Sequence, residues 1–333
     1  MEHYIVPSKR TYPPLGLRRE DDNIFFTCLC LRIIKDFNLD HPLAEKFDPE
    51  VFEDFVEIID GAKLYMFWRD QPNAYFPNGS FMHKHRFFRS PPDADDTSLI
   101  YYLVDHTAEE VQNYFAALRA FANTSQKQNT KCKPIYKDKR IFSTWFGSGK
   151  MPIEFDFAVL INVFYALEKY DYPMDDYYAD SIFYVKNEVL SNVYIENPYY
   201  LAPSYPNVFV LFYQVSRFIY FHPDHELSDL RAHLEKQLRT LRRKALKAFD
   251  HLLLDSSSMF LGLGASEQLD RTGLEQEMTT YSGFIAGLLT LLPGKLTWRL
   301  AQYSVFHFQF ICQTYNELLV RENEELGRKS SVG

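Results

Sequence analysis

The stretch Ser90-Pro91-Pro92-Asp93-Ala94-Asp95-Asp96-Thr97-Ser98-Leu99-Ile100 places three carboxylates within four residues and then runs into apolar sequence. Asp, Thr and Ser satisfy the open N–H groups of a helix's first turn, and the helix macrodipole favours negative charge there. The segment therefore predicts a helix start, and helical structure over 97–105. Capping alone accounts for an acidic run at such a place. The same crowding also carries chemistry, because neighbouring carboxylates and an apolar setting raise a carboxyl pKa while the helix terminus lowers it.

Helical periodicity continues on either side of this stretch. Thr107 and Glu110 form a capping-box signature ahead of Val111, Tyr114, Phe115, Leu118 and Phe121, which recur at spacings of three and four. Leu227, Leu230, Leu234, Leu238, Leu241, Ala245 and Phe249 form another stripe, whose basic remainder (Arg239, Arg242, Arg243, Lys244 and Lys247) reads as a solvated face. Helices are also expected over 22–37, 50–59, 155–169, 177–190, 207–220, 279–292 and 298–321, with little strand signal. Polar segments at 73–80, 125–139 and 197–206 read as loops. No exact internal repeat is present, but successive helices of similar length can pair around a common axis. The expectation is an all-α fold, a single α/α toroid over 21–325, with an N-terminal arm (1–20) and a flexible tail (326–333).

Composition narrows the function. The 333 residues include 29 Phe, 23 Tyr and 3 Trp, far more rings than the ordinary 24 % charged fraction would suggest. Most such rings pack cores, but aromatic faces also stabilise cations. A net charge of −8 argues against nucleic acid. Cys28, Cys30, Cys132 and Cys312 show neither metal-ligand spacing nor disulfide density, and residues 1–19 lack a signal peptide's apolar run, so a cytoplasmic location is expected. The apolar runs 207–221 and 281–292 are shorter than the roughly 20 residues a membrane span needs. Peripheral membrane contact remains compatible with a greasy ligand.

The string Asp93-Ala94-Asp95-Asp96-Thr97-Ser98, preceded by proline, resembles the Asp-x-Asp-Asp-Thr-Ala/Ser motif of class II terpene cyclases: the squalene-hopene, copalyl-type diterpene and drimane-forming sesquiterpene enzymes. Looser similarity covers Asp22-Asn23-Ile24-Phe25, Ser143-Thr144-Trp145-Phe146 and the apolar run from Asp156 to Asn162. The resemblance implies a toroid like that family's β domain. It also implies an isomerase that protonates a linear prenyl diphosphate, farnesyl diphosphate giving a drimane-type bicyclic diphosphate or, next, geranylgeranyl diphosphate.

In that family the middle aspartate is the general acid, so the role falls on Asp95, flanked by Asp93 and Asp96, with Thr97 beside the substrate. An alkene accepts a proton only from an un-ionised acid. Trp145 and Phe146, with Phe142, Phe155, Tyr199 and Tyr200, are candidates to face the carbocation, each ring contributing roughly 0.5 to 2 kcal/mol without supplying a nucleophile. Lys84, Arg86 and Arg89, with His85, or alternatively Lys137, Lys139 and Arg140, are candidates for the diphosphate. Magnesium is implied as a bridge through the diphosphate, with Glu20-Asp21-Asp22 a ligand group of low specificity. A second subunit, as in a homodimer, would complete a pocket that one domain leaves open.

Three rival readings remain. Asp171-Tyr172-Pro173-Met174-Asp175-Asp176 invites comparison with a class I terpene synthase, but its proline reads as a turn. His83 and His85 could serve a metal-dependent hydrolase. The third is a non-catalytic toroid that binds a prenyl group or a protein partner, its acidic motif reduced to a helix cap.

Overall fold

The computed structural model describes residues 4–69, 89–147, 151–265, 269–287, 289 and 299–332. They group into two compact units, Met1–Ser8 with Glu20–Tyr184, and Lys9–Arg19 with Val185–Gly333. The chain opens on strands β1 (Ser8–Tyr12) and β2 (Leu17–Asp21), which apart from their outer ends belong to the second unit.

The first unit is built on α1 (Phe25–Phe37), a short helix α2 (Pro42–Lys46), the hairpin β3 (Val56–Ile59) and β4 (Ala62–Tyr65), then α3 (Ala94–Leu103), α4 (Ala108–Phe121) and α5 (Phe157–Lys169), and it leads into α6 (Asp176–Leu190). Helix α3 packs against both α1 and α5, and α4 lies on β4. Almost every α5 residue from Phe157 to Leu167 is buried. This helix is apolar on all sides, so it takes the middle of the unit. The capping box of α4 is present, Thr107 Oγ1 accepting the Glu110 N–H while Glu110 accepts from the Thr107 N–H. Helix α6 starts after a turn at Asp171 (φ +50°), and Asp175 accepts the Tyr177 and Tyr178 N–H groups. The segment compared with a class I metal motif is thus a turn and a helix cap.

In the second unit, short helices α7 (Val193–Glu196) and α8 (Pro198–Leu201) precede α9 (Val208–Phe221), α10 (Arg231–Arg242), α11 (Ala248–Phe260) and α12 (Arg271–Glu277). Strands β5 (Phe284–Gly287) and β6 (His307–Ile311) follow, then α13 (Gln313–Val332). Helix α11 packs on α9, α10, α12 and α13. The leucine stripe expected as one helix is divided: Glu226–Leu230 forms a 3-10 segment, α10 carries buried Leu234, Leu238 and Leu241, and α11 begins at Ala248.

The all-α toroid is overturned. A four-stranded sheet in the order β2-β1-β6-β5 and the two-stranded sheet β3-β4 make the fold mixed α/β. Three expected helices contain strands. Residues 50–59 form a 3-10 segment (Pro49–Phe55) followed by β3; 279–292 contain β5; and 298–321 contain β6 ahead of α13. The register shows why the first of these is a strand. Ile59 pairs with Ala62 across Asp60-Gly61, whose φ values are +50° and +82°. A two-residue Asp-Gly turn with both φ positive matches the twist of paired strands and would end any helix. In β6, Phe308, Phe310 and Ile311 are aromatic or β-branched residues that pack well on a pleated surface, with Phe310 opposite Phe284.

Candidate functional site: a buried carboxyl cluster

Residues 92 and 93 are clamped in extended form between two neighbours before α3 begins. Asp93 N–H donates to Tyr65 O at 3.1 Å, Ala94 N–H to Thr144 O at 2.7 Å and Phe146 N–H to Pro92 O at 3.0 Å, with Asp93 bridged antiparallel to Trp145. Thr97 Oγ1 accepts the Tyr65 N–H at 2.9 Å, tying α3 to the end of β4. The backbone thus fixes where the carboxyls stand before any side-chain interaction is counted.

Asp93 is the N-cap, and its Oδ1 accepts the Asp96 N–H at 2.8 Å. Such a cap contributes about 1 kcal/mol to a helix. Asp95 Oδ1 accepts from Asn162 Nδ2 on α5 at 2.6 Å, and Asn162 Oδ1 accepts from Arg32 Nη1 on α1 at 2.6 Å. The Arg32 guanidinium also lies over the Tyr165 ring, 5.2 Å from its centre. Asp96 differs from both neighbours. It is 1 % exposed, and neither of its oxygens meets a donor among the described residues.

The electrostatics follow from this geometry. Burial, and then Asp95, push Asp93 up to about 8, against the opposing bond from the Asp96 N–H. Burial, Asp93 and Asp95 push Asp96 well above the usual carboxylate range. Asp93 and Asp96 each shift the other's titration, and both are held toward the protonated form. Asp156, the N-cap of α5, is raised by burial, Glu154 and Asp95. Glu154 is raised by desolvation although it accepts the Trp145 indole N–H at 2.8 Å. Cys28 on α1 is pushed up by burial, Asp96 and Asp95, which keeps its thiol un-ionised and unreactive.

These shifts set a pH dependence. A carboxyl whose folded-state pKa is raised keeps its proton in the fold after the unfolded chain has lost it. Stability therefore falls as pH rises from the ordinary 3.8 toward about 8, at roughly 1.4 kcal/mol per pH unit for one proton. Asp96→Asn replaces the protonated acid with a neutral isostere that has no carboxyl proton to lose. The variant is expected to be more stable than wild type near neutrality and to show a flatter profile. Urea titrations at about pH 5 and about pH 8 check this, and a wild-type protein equally stable at both would contradict the raised carboxyls.

The structure thus brings together Asp93, Asp95, Asp96, Thr97, Trp145 and Phe146. Phe146 is fully buried against Phe121, Phe142 packs near Tyr172 and Tyr177, and Phe155 near Tyr184. Tyr199 and Tyr200 belong to the second unit. Lys84 and Arg86, with His83 and His85, lie outside the described residues. Arg89 is paired with Glu57 at 3.0 Å, and Lys139 and Arg140 bind Asp180 and Asp176, each at 2.8 Å. These three cations are already engaged with carboxylates.

Among the described residues no group of three or more His, Cys, Asp or Glu side chains is arranged to hold a metal. In Glu20-Asp21-Asp22, Asp21 Oδ1 accepts from Asn23 Nδ2 at 2.7 Å and Trp68 Nε1 at 3.0 Å, and Asp22 lies 3.6 Å from Arg69. Arg32 and Asn162 are the site residues that sequence reasoning did not assign. Asn162 lay in a segment already marked by resemblance, and a polar side chain in the middle of an otherwise apolar α5 was the available signal. Also among the described residues, no helix is long and apolar enough to cross a membrane. Comparison with family models, with curated proteins and with solved structures finds no match.

Proposed function

We propose that this protein cyclises a linear prenyl diphosphate by protonating one of its double bonds, with Asp95 as the general acid and farnesyl diphosphate as the preferred substrate. One observation carries the proposal: three buried carboxyls crowd the first turn of α3, and Asp95 is the most accessible, 8 % exposed against 5 % for Asp93 and 1 % for Asp96. The reading rests on this cluster, since the described residues form a mixed α/β fold in place of the expected all-α toroid.

An alkene is a weak base, so the donor must be protonated beforehand and its conjugate base must be stabilised as the proton leaves. Asn162 Nδ2 donates to Asp95 Oδ1, and the transferred proton is assigned to Oδ2. The Oδ2–H bond breaks, the alkene π pair forms the new C–H bond, and a tertiary cation remains on the substrate. Internal double bonds then close the rings. The Asp95 carboxylate left behind faces Asn162, backed by the Arg32 charge, and neighbours held neutral by their own protons. The same contacts favour the anion before transfer as well, so desolvation beside Asp93 and Asp96 has to keep the resting acid protonated. The final cation either loses a proton to water or adds water and releases one, Asp95 takes a proton back from solvent, and the diphosphate stays attached. All four cysteines are free thiols, which supports placement in a reducing cytoplasm.

Incubation with farnesyl and with geranylgeranyl diphosphate, then phosphatase treatment and product analysis, tests the reading. The expected product is a bicyclic alcohol released only by the phosphatase. A terpene hydrocarbon formed without phosphatase would mean diphosphate ionisation instead. Tight prenyl diphosphate binding with no turnover would reduce the site to a binding module.

A further inference from the structure

In the second unit, β1 and β2 are joined by a tight turn of unusual surface chemistry. Pro13–Leu15 form a single 3-10 turn, and Gly16 takes φ +62° with its N–H on Pro13 O at 3.1 Å. Two prolines and a glycine in the left-handed region fix this shape in advance. Leu15 and Leu17 are 70 % and 50 % exposed. Strand β1 runs antiparallel to β6 with Thr11 opposite Gln309, so the turn lies beside the residues that precede β6. The Tyr12 hydroxyl donates to Val305 O at 2.8 Å, and there Tyr303 and Val305 are 63 % and 46 % exposed. One end of the sheet therefore presents several large apolar side chains to water, more than scattered surface leucines would explain.

The charge around this tip is mainly positive, although Arg10 is buried and the exposed Glu20 follows Arg19 on β2. Residues 9–19 carry Lys9, Arg10, Arg18 and Arg19 and no acidic residue, within a chain of net charge −8. Arg18 and Arg19 are exposed at the base of the turn. Apolar side chains at a tip with arginines behind them match the layers of an anionic bilayer surface, acyl chains inside and phosphates above. Nucleic acid would meet the arginines but gain nothing from the leucines. An acidic protein surface would have the same defect.

We propose that this end of the sheet docks the protein reversibly on an anionic membrane surface, Leu15 and Leu17 entering the headgroup layer and Arg18 and Arg19 meeting lipid phosphates. The inference is independent of the chemistry assigned to Asp95, because binding is read without turnover. The test is flotation of the full chain with phosphatidylcholine vesicles and with vesicles of phosphatidylcholine and phosphatidylglycerol in equal parts. Binding is expected on the mixed vesicles only, weakening with salt. The double variants Leu15→Glu/Leu17→Glu and Arg18→Ala/Arg19→Ala should each weaken it by at least roughly tenfold, with circular dichroism unchanged. No flotation of wild type, or equal flotation of both variants and wild type, overturns the proposal. Binding to duplex DNA or polyglutamate without binding to vesicles overturns it as well.

Discussion

Asp95→Asn is expected to abolish cyclic product from farnesyl diphosphate while leaving the fold intact, a loss of at least the roughly 10²- to 10⁴-fold that a positioned general acid contributes. The amide has nearly the shape of the acid and can still accept from Asn162 Nδ2 through its oxygen, so the 2.6 Å bond that orients the side chain survives. Only the transferable proton is lost. Because the variant keeps the packing of α3 against α1 and α5, thermal melting should change little, and substrate binding measured by fluorescence should persist. Asp93→Asn differs, because that position caps α3 and holds the Asp96 N–H at 2.8 Å. It is expected to reduce rate and stability together. Full turnover by Asp95→Asn would remove Asp95 from the chemistry whatever the effect at Asp93.

The contrast among the three carboxyls could not have come from their order in the chain. Spacing puts Asp93, Asp95 and Asp96 at a helix start, and the observed N-cap at Asp93 agrees with it. What distinguishes them is three-dimensional: Asn162 lies 67 positions from Asp95, and Arg32 lies 130 from Asn162. No periodicity encodes which polar side chain on α1 or α5 meets which on α3. Burial of long apolar stripes, by contrast, is a local property, so α1, α4, α5, α6 and α9 were all legible as helices. The strands were missed for a related reason. Short apolar runs such as Val56–Ile59 and Phe284–Gly287 fit either period, and only their partners decide between them. Asp60-Gly61 was a readable hairpin signal, whereas the pairing of β1 with β6 joins residues some 300 positions apart, such as Thr11 and Gln309.

Glu322→Ala should destabilise the second unit strongly, because it breaks a fully buried ion pair. Arg217 on α9 and Glu322 on α13 are both 0 % exposed, and Arg217 Nε donates to Glu322 Oε1 at 2.8 Å. The Tyr213 hydroxyl donates to the other oxygen of Glu322, and the Phe221 ring lies 4.9 Å beneath the guanidinium. Burial and the Glu322 charge push the Tyr213 phenol well up, so it remains a donor. Removing the carboxylate takes the Glu322 counter-ion from a buried guanidinium that cannot shed its proton, and it also removes the acceptor of the Tyr213 hydroxyl. Breaking such a pair from one side costs about 3 to 5 kcal/mol. Arg217→Met should cost a similar amount, because it leaves the Glu322 charge buried without its counter-ion. The double variant Arg217→Met/Glu322→Leu removes both charges of the pair and should recover much of the loss, since apolar replacement of a whole buried pair is often neutral or stabilising. Urea denaturation of the two single variants and the double variant makes the comparison. Additive losses would mean that the two charges do not depend on each other, and that the α9–α13 contact is held by apolar packing alone.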